Sequence, residues 1–251
     1  MRAVHSLYFA WFFSFTMSCG GSKQVSDPFE NVTMVEVQEV TESIDFPEKN
    51  KDSAMDLHSD NNFWEIQTLD YAIKGSDTLA MDVYRYDQMN PSLPVLFFVH
   101  GGGFYTGTRK ENNIEAFCKD FAKRGYIVCN IDYRLYLKGQ SFHCNQPSPE
   151  KINAFRTAVS DLRSATKWLL ESDLPYDKNR VFVSGSSAGA EAILHAPYWD
   201  AKAMNLDEPE LFHDFRYAGL CAFAGAMVDT TLITPKNTIP MLLFHGTCDP
   251  L

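Results

Sequence analysis

From residue 93 onward the chain is organised on five short apolar runs: LPVLFFVH (93–100), YIVCNID (126–132), RVFVSG (180–185), YAGLCAFAG (217–225) and IPMLLFHG (239–246). Each is too continuous for a strand with one wet face, and fits a parallel strand covered by helices on both faces. Between the runs, residues 111–124, 150–172 and 188–196 carry helical patterns, the second ending before Pro175 and the third stopping at Pro197. Strand alternating with helix predicts an α/β fold with a mostly parallel, doubly wound sheet. Ahead of it, residues 63–73 and 78–86 alternate in the manner of half-buried strands, joined by the turn signal Lys74-Gly75-Ser76-Asp77. An antiparallel hairpin is therefore expected to open the domain.

The first 62 residues read differently. Arg2, the apolar run Leu7 to Met17 and the small residues up to Gly21 predict a signal peptide over 1–21, too short to span a bilayer. Ser18-Cys19-Gly20-Gly21 after such a run resembles a bacterial lipoprotein signal. That resemblance implies lipidation of Cys19 and an exported protein, periplasmic or held at a membrane through this anchor. Thr16 stands where that signal carries leucine, and an ordinary cleaved signal peptide is the alternative. Residues 22–62 read as a polar, acidic tether, and 63–251 as one globular domain. The tether contributes ten acids against three lysines to a net charge of −10. With no basic cluster and a pI near 5.1, a nucleic-acid partner is excluded. Cys118, Cys129, Cys144, Cys221 and Cys248 remain if Cys19 is lipidated, an odd number, so no disulfide framework is expected. No cysteine–histidine cluster with zinc spacing occurs, and no metal site is expected.

Two motifs carry chemistry. Gly185-Ser186-Ser187-Ala188-Gly189 follows an apolar strand and opens a helix. A serine on such a turn is thrust out of the sheet, glycines two residues to each side leave room for the strained backbone, and the helix amides favour negative charge beside it. Ser187 is the candidate nucleophile. His100-Gly101-Gly102-Gly103-Phe104 ends another strand, and its glycines let backbone amides approach a reacting carbonyl. A dinucleotide-binding turn fails on spacing, because Thr106 stands where the third glycine belongs. His100 reads as structural.

HGGGF, then Asp132-Tyr133-Arg134 after the next strand, then GSSAG, together resemble the hormone-sensitive-lipase and carboxylesterase branch of the α/β-hydrolases, over residues 63–251. The resemblance implies an α/β-hydrolase fold and a serine esterase cleaving small carboxylic esters through an acyl-enzyme at Ser187, without a cofactor. It implies that the amides of Gly102, Gly103 and Ala188 form the oxyanion hole. Ser186 departs from the branch, which more often has an acid there. His245-Gly246-Thr247-Cys248-Asp249 resembles the family's HGxxD segment and makes Asp249 the triad acid, with Asp229 as the alternative. Positions 187 and 249 lie 62 apart, too close for an intervening cap domain, so an open site suited to small soluble esters is expected.

In this fold the order is Ser, Asp, His. All seven histidines precede Asp249, and His245 occupies the position of a structural strand-end histidine. The domain is therefore expected to be C-terminally truncated, and this length of chain to be catalytically impaired. A serine peptidase of the same fold is a rival that HGGGF and the lack of a propeller domain disfavour. A non-catalytic binding protein is the other rival, disfavoured because packing alone needs neither the serine turn nor the glycine loop.

Overall fold

In the computed structural model, the described residues are 65–86, 92–206 and 214–246, all within one compact unit, His58–Leu251. The signal peptide, the tether, Cys19, Cys248 and Asp249 lie outside the described residues.

The expected hairpin is present as β1 (Glu65–Lys74) and β2 (Asp77–Arg85), which reach across all but Gly75 and Ser76 of the turn signal. Gly75 has φ +63°, the left-handed conformation that a two-residue hairpin turn requires. The five apolar runs form β3 (Val95–Val99), β4 (Ile127–Ile131), β5 (Val181–Ser186), β6 (Gly219–Phe223) and β7 (Met241–Phe244). Four of the five apolar runs extend past both ends of their strands, whereas the run 180–185 is shifted by one residue from β5. The helices are α1 (Asn112–Lys123), α2 (Ser148–Glu171) and α3 (Ala188–His195). The middle helix starts two residues earlier than its apolar pattern, with proline in its first turn, where the missing N–H has no partner to lose.

The seven strands lie in the order β1-β2-β4-β3-β5-β6-β7. The hairpin joins β4 antiparallel and the remaining pairings are parallel. All five residues of β3 and of β4 are buried, as continuous apolar runs require. Alternate residues serve opposite faces: Val95, Phe97 and Val99 join the core containing residues of α2 and α3, whereas Leu96 and Phe98 join the one formed with α1.

From β3 the chain crosses to β4 on one side and then to β5 on the other. The carboxyl ends of β3 and β5 are therefore a topological switch point, where open α/β sheets form their ligand crevice. The register sets Val99 opposite Gly185, so His100 and Ser187 emerge from neighbouring strands at that point.

Candidate active site

A single residue makes the turn between β5 and α3. Ser187 has φ +49° and ψ −121°, a region that non-glycine residues avoid at a cost of about 1–3 kcal/mol. Its N–H donates to the Phe223 carbonyl at 2.8 Å, and its own carbonyl accepts from Glu191 N–H at 3.0 Å. The flanking glycines allow the close approach. A Cβ on Gly185 would lie 2.6 Å from the Gly189 carbonyl, and one on Gly189 would lie 2.0 Å from the Val99 oxygen. Ser187 is exposed, and among the described residues its hydroxyl has no recorded hydrogen bond. Ala188 stands first in α3, where its N–H has no intrahelical acceptor.

The glycine loop lies against this turn. A Cβ on Gly101 would sit 3.0 Å from the Ser186 oxygen and 3.3 Å from Ser187 Cβ. Gly102, Gly103 and Phe104 all have positive φ, and Tyr105 and Thr106 N–H both donate to the Gly102 carbonyl. The loop thus curls on itself, while no acceptor is recorded for the Gly102 and Gly103 amides among the described residues. Phe104 anchors it, fully buried against Tyr133, Phe142 and Phe155.

The Asp132-Tyr133-Arg134 segment braces the loop from behind. Tyr133 stacks on His100 at 4.4 Å between ring centroids, and its hydroxyl donates to the His100 carbonyl at 3.1 Å. Asp132 accepts from Arg109 N–H at 2.7 Å, from Thr108 Oγ1 at 3.2 Å and from the Arg109 guanidinium. Arg134 grips Asp161 of α2 through Nε at 3.0 Å and Nη2 at 2.6 Å. Sequence reasoning missed Asp82, Arg109 and Asp161. Asp82 is fully buried in β2 and meets Arg109 Nε at 3.2 Å, Lys110 Nζ at 2.7 Å and Thr68 Oγ1 at 2.7 Å. Burial pushes its carboxyl up, but the Lys110 and Thr68 hydrogen bonds and the Arg109 charge outweigh that and hold it below the ordinary range. The available signal was a lone acid inside the buried stripe of TLAMDVYRY.

No described histidine is recorded as bonded to Ser187. His100 is buried, donates from Nδ1 to the Gly101 carbonyl at 2.7 Å, and is kept neutral by burial, as the structural reading anticipated. His195 donates from Nδ1 to the Glu191 carbonyl at 2.6 Å and accepts from Val228 N–H at Nε2, so both ring nitrogens are committed. His245 Nε2 lies 2.6 Å from the Gly225 carbonyl. Asp229 caps a short 3₁₀ turn, its Oδ1 accepting from Thr231 N and Oγ1. Glu191, one turn after Ser187, is the acidic group that burial pushes up to about 8, partly opposed by the Lys151 charge. Among the described residues no group of three potential metal ligands occurs.

An open, mostly parallel sheet with a strained serine turn at its switch point and a glycine loop packed on that turn defines an α/β-hydrolase. The chain belongs to the BD-FAE family, whose model matches residues 81–227. It is similar to gut esterase 1 of Caenorhabditis briggsae, 30% identical over 121 residues that are 47% of this chain and 21% of that protein. Para-nitrobenzyl esterase of Bacillus subtilis (strain 168) is 30% identical over 122 residues, 48% of this chain and 24% of that protein. The matched segment thus spans about a quarter or less of these curated relatives. The fold is similar to that of Thermogutta terrifontis esterase 2 phosphorylated by paraoxon, with a TM-score of 0.54 and 23% identity, covering 72% of this chain and 70% of that one.

Proposed function

We propose that the chain is a serine esterase acting on small carboxylic esters. The observation that carries this reading is the exposed Ser187 hydroxyl on a strained turn with the 101–103 loop packed directly on it. Ser187 Oγ attacks the ester carbonyl, the hydroxyl proton passes to an imidazole from outside the described residues, and the alcohol leaves with a proton returned by that base. Water then releases the acid from the acyl-serine. The amides of Gly102, Gly103 and Ala188 carry the oxyanion, because amides already aimed and unpaired stabilise charge without reorganising. Asp249 orients the imidazole. Esterase relatives favour this reading over a peptidase. The test is fluorophosphonate labelling of the full-length protein, with the histidine that the Ser, Asp, His order requires, in which Ser187 Oγ displaces fluoride from phosphorus. Tryptic mass spectrometry is expected to locate the adduct on Ser187, and Ser187→Ala to abolish both the adduct and p-nitrophenyl acetate turnover. An adduct elsewhere, or turnover that survives Ser187→Ala, refutes the assignment.

A further inference from the structure

Away from the serine turn, α2 turns a second, polar face toward an open cavity of about 330 Å³. Its buried residues Ala154, Phe155, Ala158, Val159 and Leu162 belong to the main core. Asn153, Arg156, Thr157 and Ser160 follow the i, i+3, i+4, i+7 spacing of a single helix face and line the cavity, with Arg134, Tyr136 and Asn205 opposite. None of these side chains is acidic and none is aliphatic.

Among the described residues the two arginines of this wall are not equally matched. Arg134 is matched by Asp161 through a two-pronged ion pair. Among the described residues Arg156 has no carboxylate partner: its Nη1 donates to Asn153 Oδ1 at 3.2 Å, and its Nε is buried without an acceptor. A partly buried guanidinium lacking a counter-charge is poorly satisfied, and its planar fork matches carboxylate and phosphate oxygens. The remaining groups form a polar wall in which Asn153 Nδ2 donates to the Tyr136 hydroxyl at 3.2 Å and Thr157 Oγ1 to the Asn153 carbonyl at 2.8 Å, leaving the Tyr136 hydroxyl proton and the Asn205 amide to meet the hydroxyls of a ligand. At about 330 Å³ the cavity exceeds what a bare inorganic oxyanion fills, since one water occupies about 30 Å³ of liquid, and it falls at the lower end of the volumes typical of small-molecule sites.

We propose that this cavity binds an anionic monosaccharide, a sugar acid or sugar phosphate, whose oxyanion pairs with Arg156 while its hydroxyls meet the amide and hydroxyl wall. The cavity shares no lining residue with the Ser187 turn or the 101–103 loop, and binding there does not depend on the Ser187 chemistry. Isothermal titration of the 251-residue chain with D-glucuronate, glucose 6-phosphate and glucose tests this. Saturable one-to-one binding of at least one anionic sugar is expected, about tenfold or more tighter than glucose. Preference for glucuronate assigns the group as carboxylate, and preference for glucose 6-phosphate as phosphate. Arg156→Gln is expected to weaken binding about tenfold or more, the range for loss of a charge-assisted hydrogen bond. Asn205→Asp, which suits the left-handed backbone at that position, sets a carboxylate in the same wall and is expected to weaken binding similarly even if Arg156→Gln does not fold. Ser187→Ala is expected to leave binding unchanged. Neither anion binding better than glucose, binding that survives both cavity substitutions, or binding lost in Ser187→Ala overturns the proposal.

Discussion

Glu191→Gln should raise stability at neutral and alkaline pH while leaving it unchanged in acid. The Glu191 carboxyl sits one turn after Ser187, and burial lifts it from its ordinary 4.5 to about 8 against the opposing charge of Lys151. Below pH 4.5 the carboxyl is protonated in both folded and unfolded chains, and Glu and Gln are equivalent. Between 4.5 and 8 the unfolded chain releases the proton that the folded chain keeps, so the unfolded state binds fewer protons and stability falls as pH rises. At about 1.4 kcal/mol per pH unit across that window, the limiting loss is about 5 kcal/mol. Partial exposure of the side chain lets solvent screen some of this, so a gain of about 2 kcal/mol or more is expected for the variant at pH 8. Urea unfolding of the chain and of Glu191→Gln at pH 4, 6 and 8 measures it. The free-energy difference should open from near zero to its full value across these three points. Parallel stability profiles, with no divergence between pH 4 and 8, would refute the reasoning by showing that Glu191 ionises normally in the folded protein.

Two other outcomes are expected. Gly189→Ala should lower stability by about 3 kcal/mol in urea unfolding, because its Cβ would lie 2.0 Å from the Val99 oxygen and 2.6 Å from that of His100, both backbone atoms that cannot rotate away; a midpoint unchanged from that of the parent chain would show that α3 shifts freely over the sheet. Metabolic labelling with a palmitate analogue should mark the chain and fail on Cys19→Ala, as the apolar run before Ser18-Cys19-Gly20-Gly21 leads us to propose; equal labelling of both, or of neither, sinks that proposal.

The backbone plan could be read from the chain because it rests on local periodicity. Unbroken apolar runs demand coverage on both faces, and the structure meets this with β3 and β4 fully buried between helical layers. The Gly185 to Gly189 and His100 to Phe104 segments were also legible, since their spacing encodes backbone shape: a Cβ at Gly185 or Gly189 collides with backbone from a neighbouring element. The side chains behind them were not legible. Asp82 on β2, Arg109 ahead of α1 and Asp132 after β4 come from three separated stretches, and only the order β2-β4-β3 brings them into one ion network behind the glycine loop. Likewise, nothing near Glu191 in sequence distinguishes it from an exposed helical acid; desolvation by the packed elements around α3 makes it unusual. Apolar period and glycine spacing are properties of a chain segment, and the sequence by itself determines them. Charge pairing and desolvation are properties of a three-dimensional neighbourhood, which only the assembled sheet and its packed helices create.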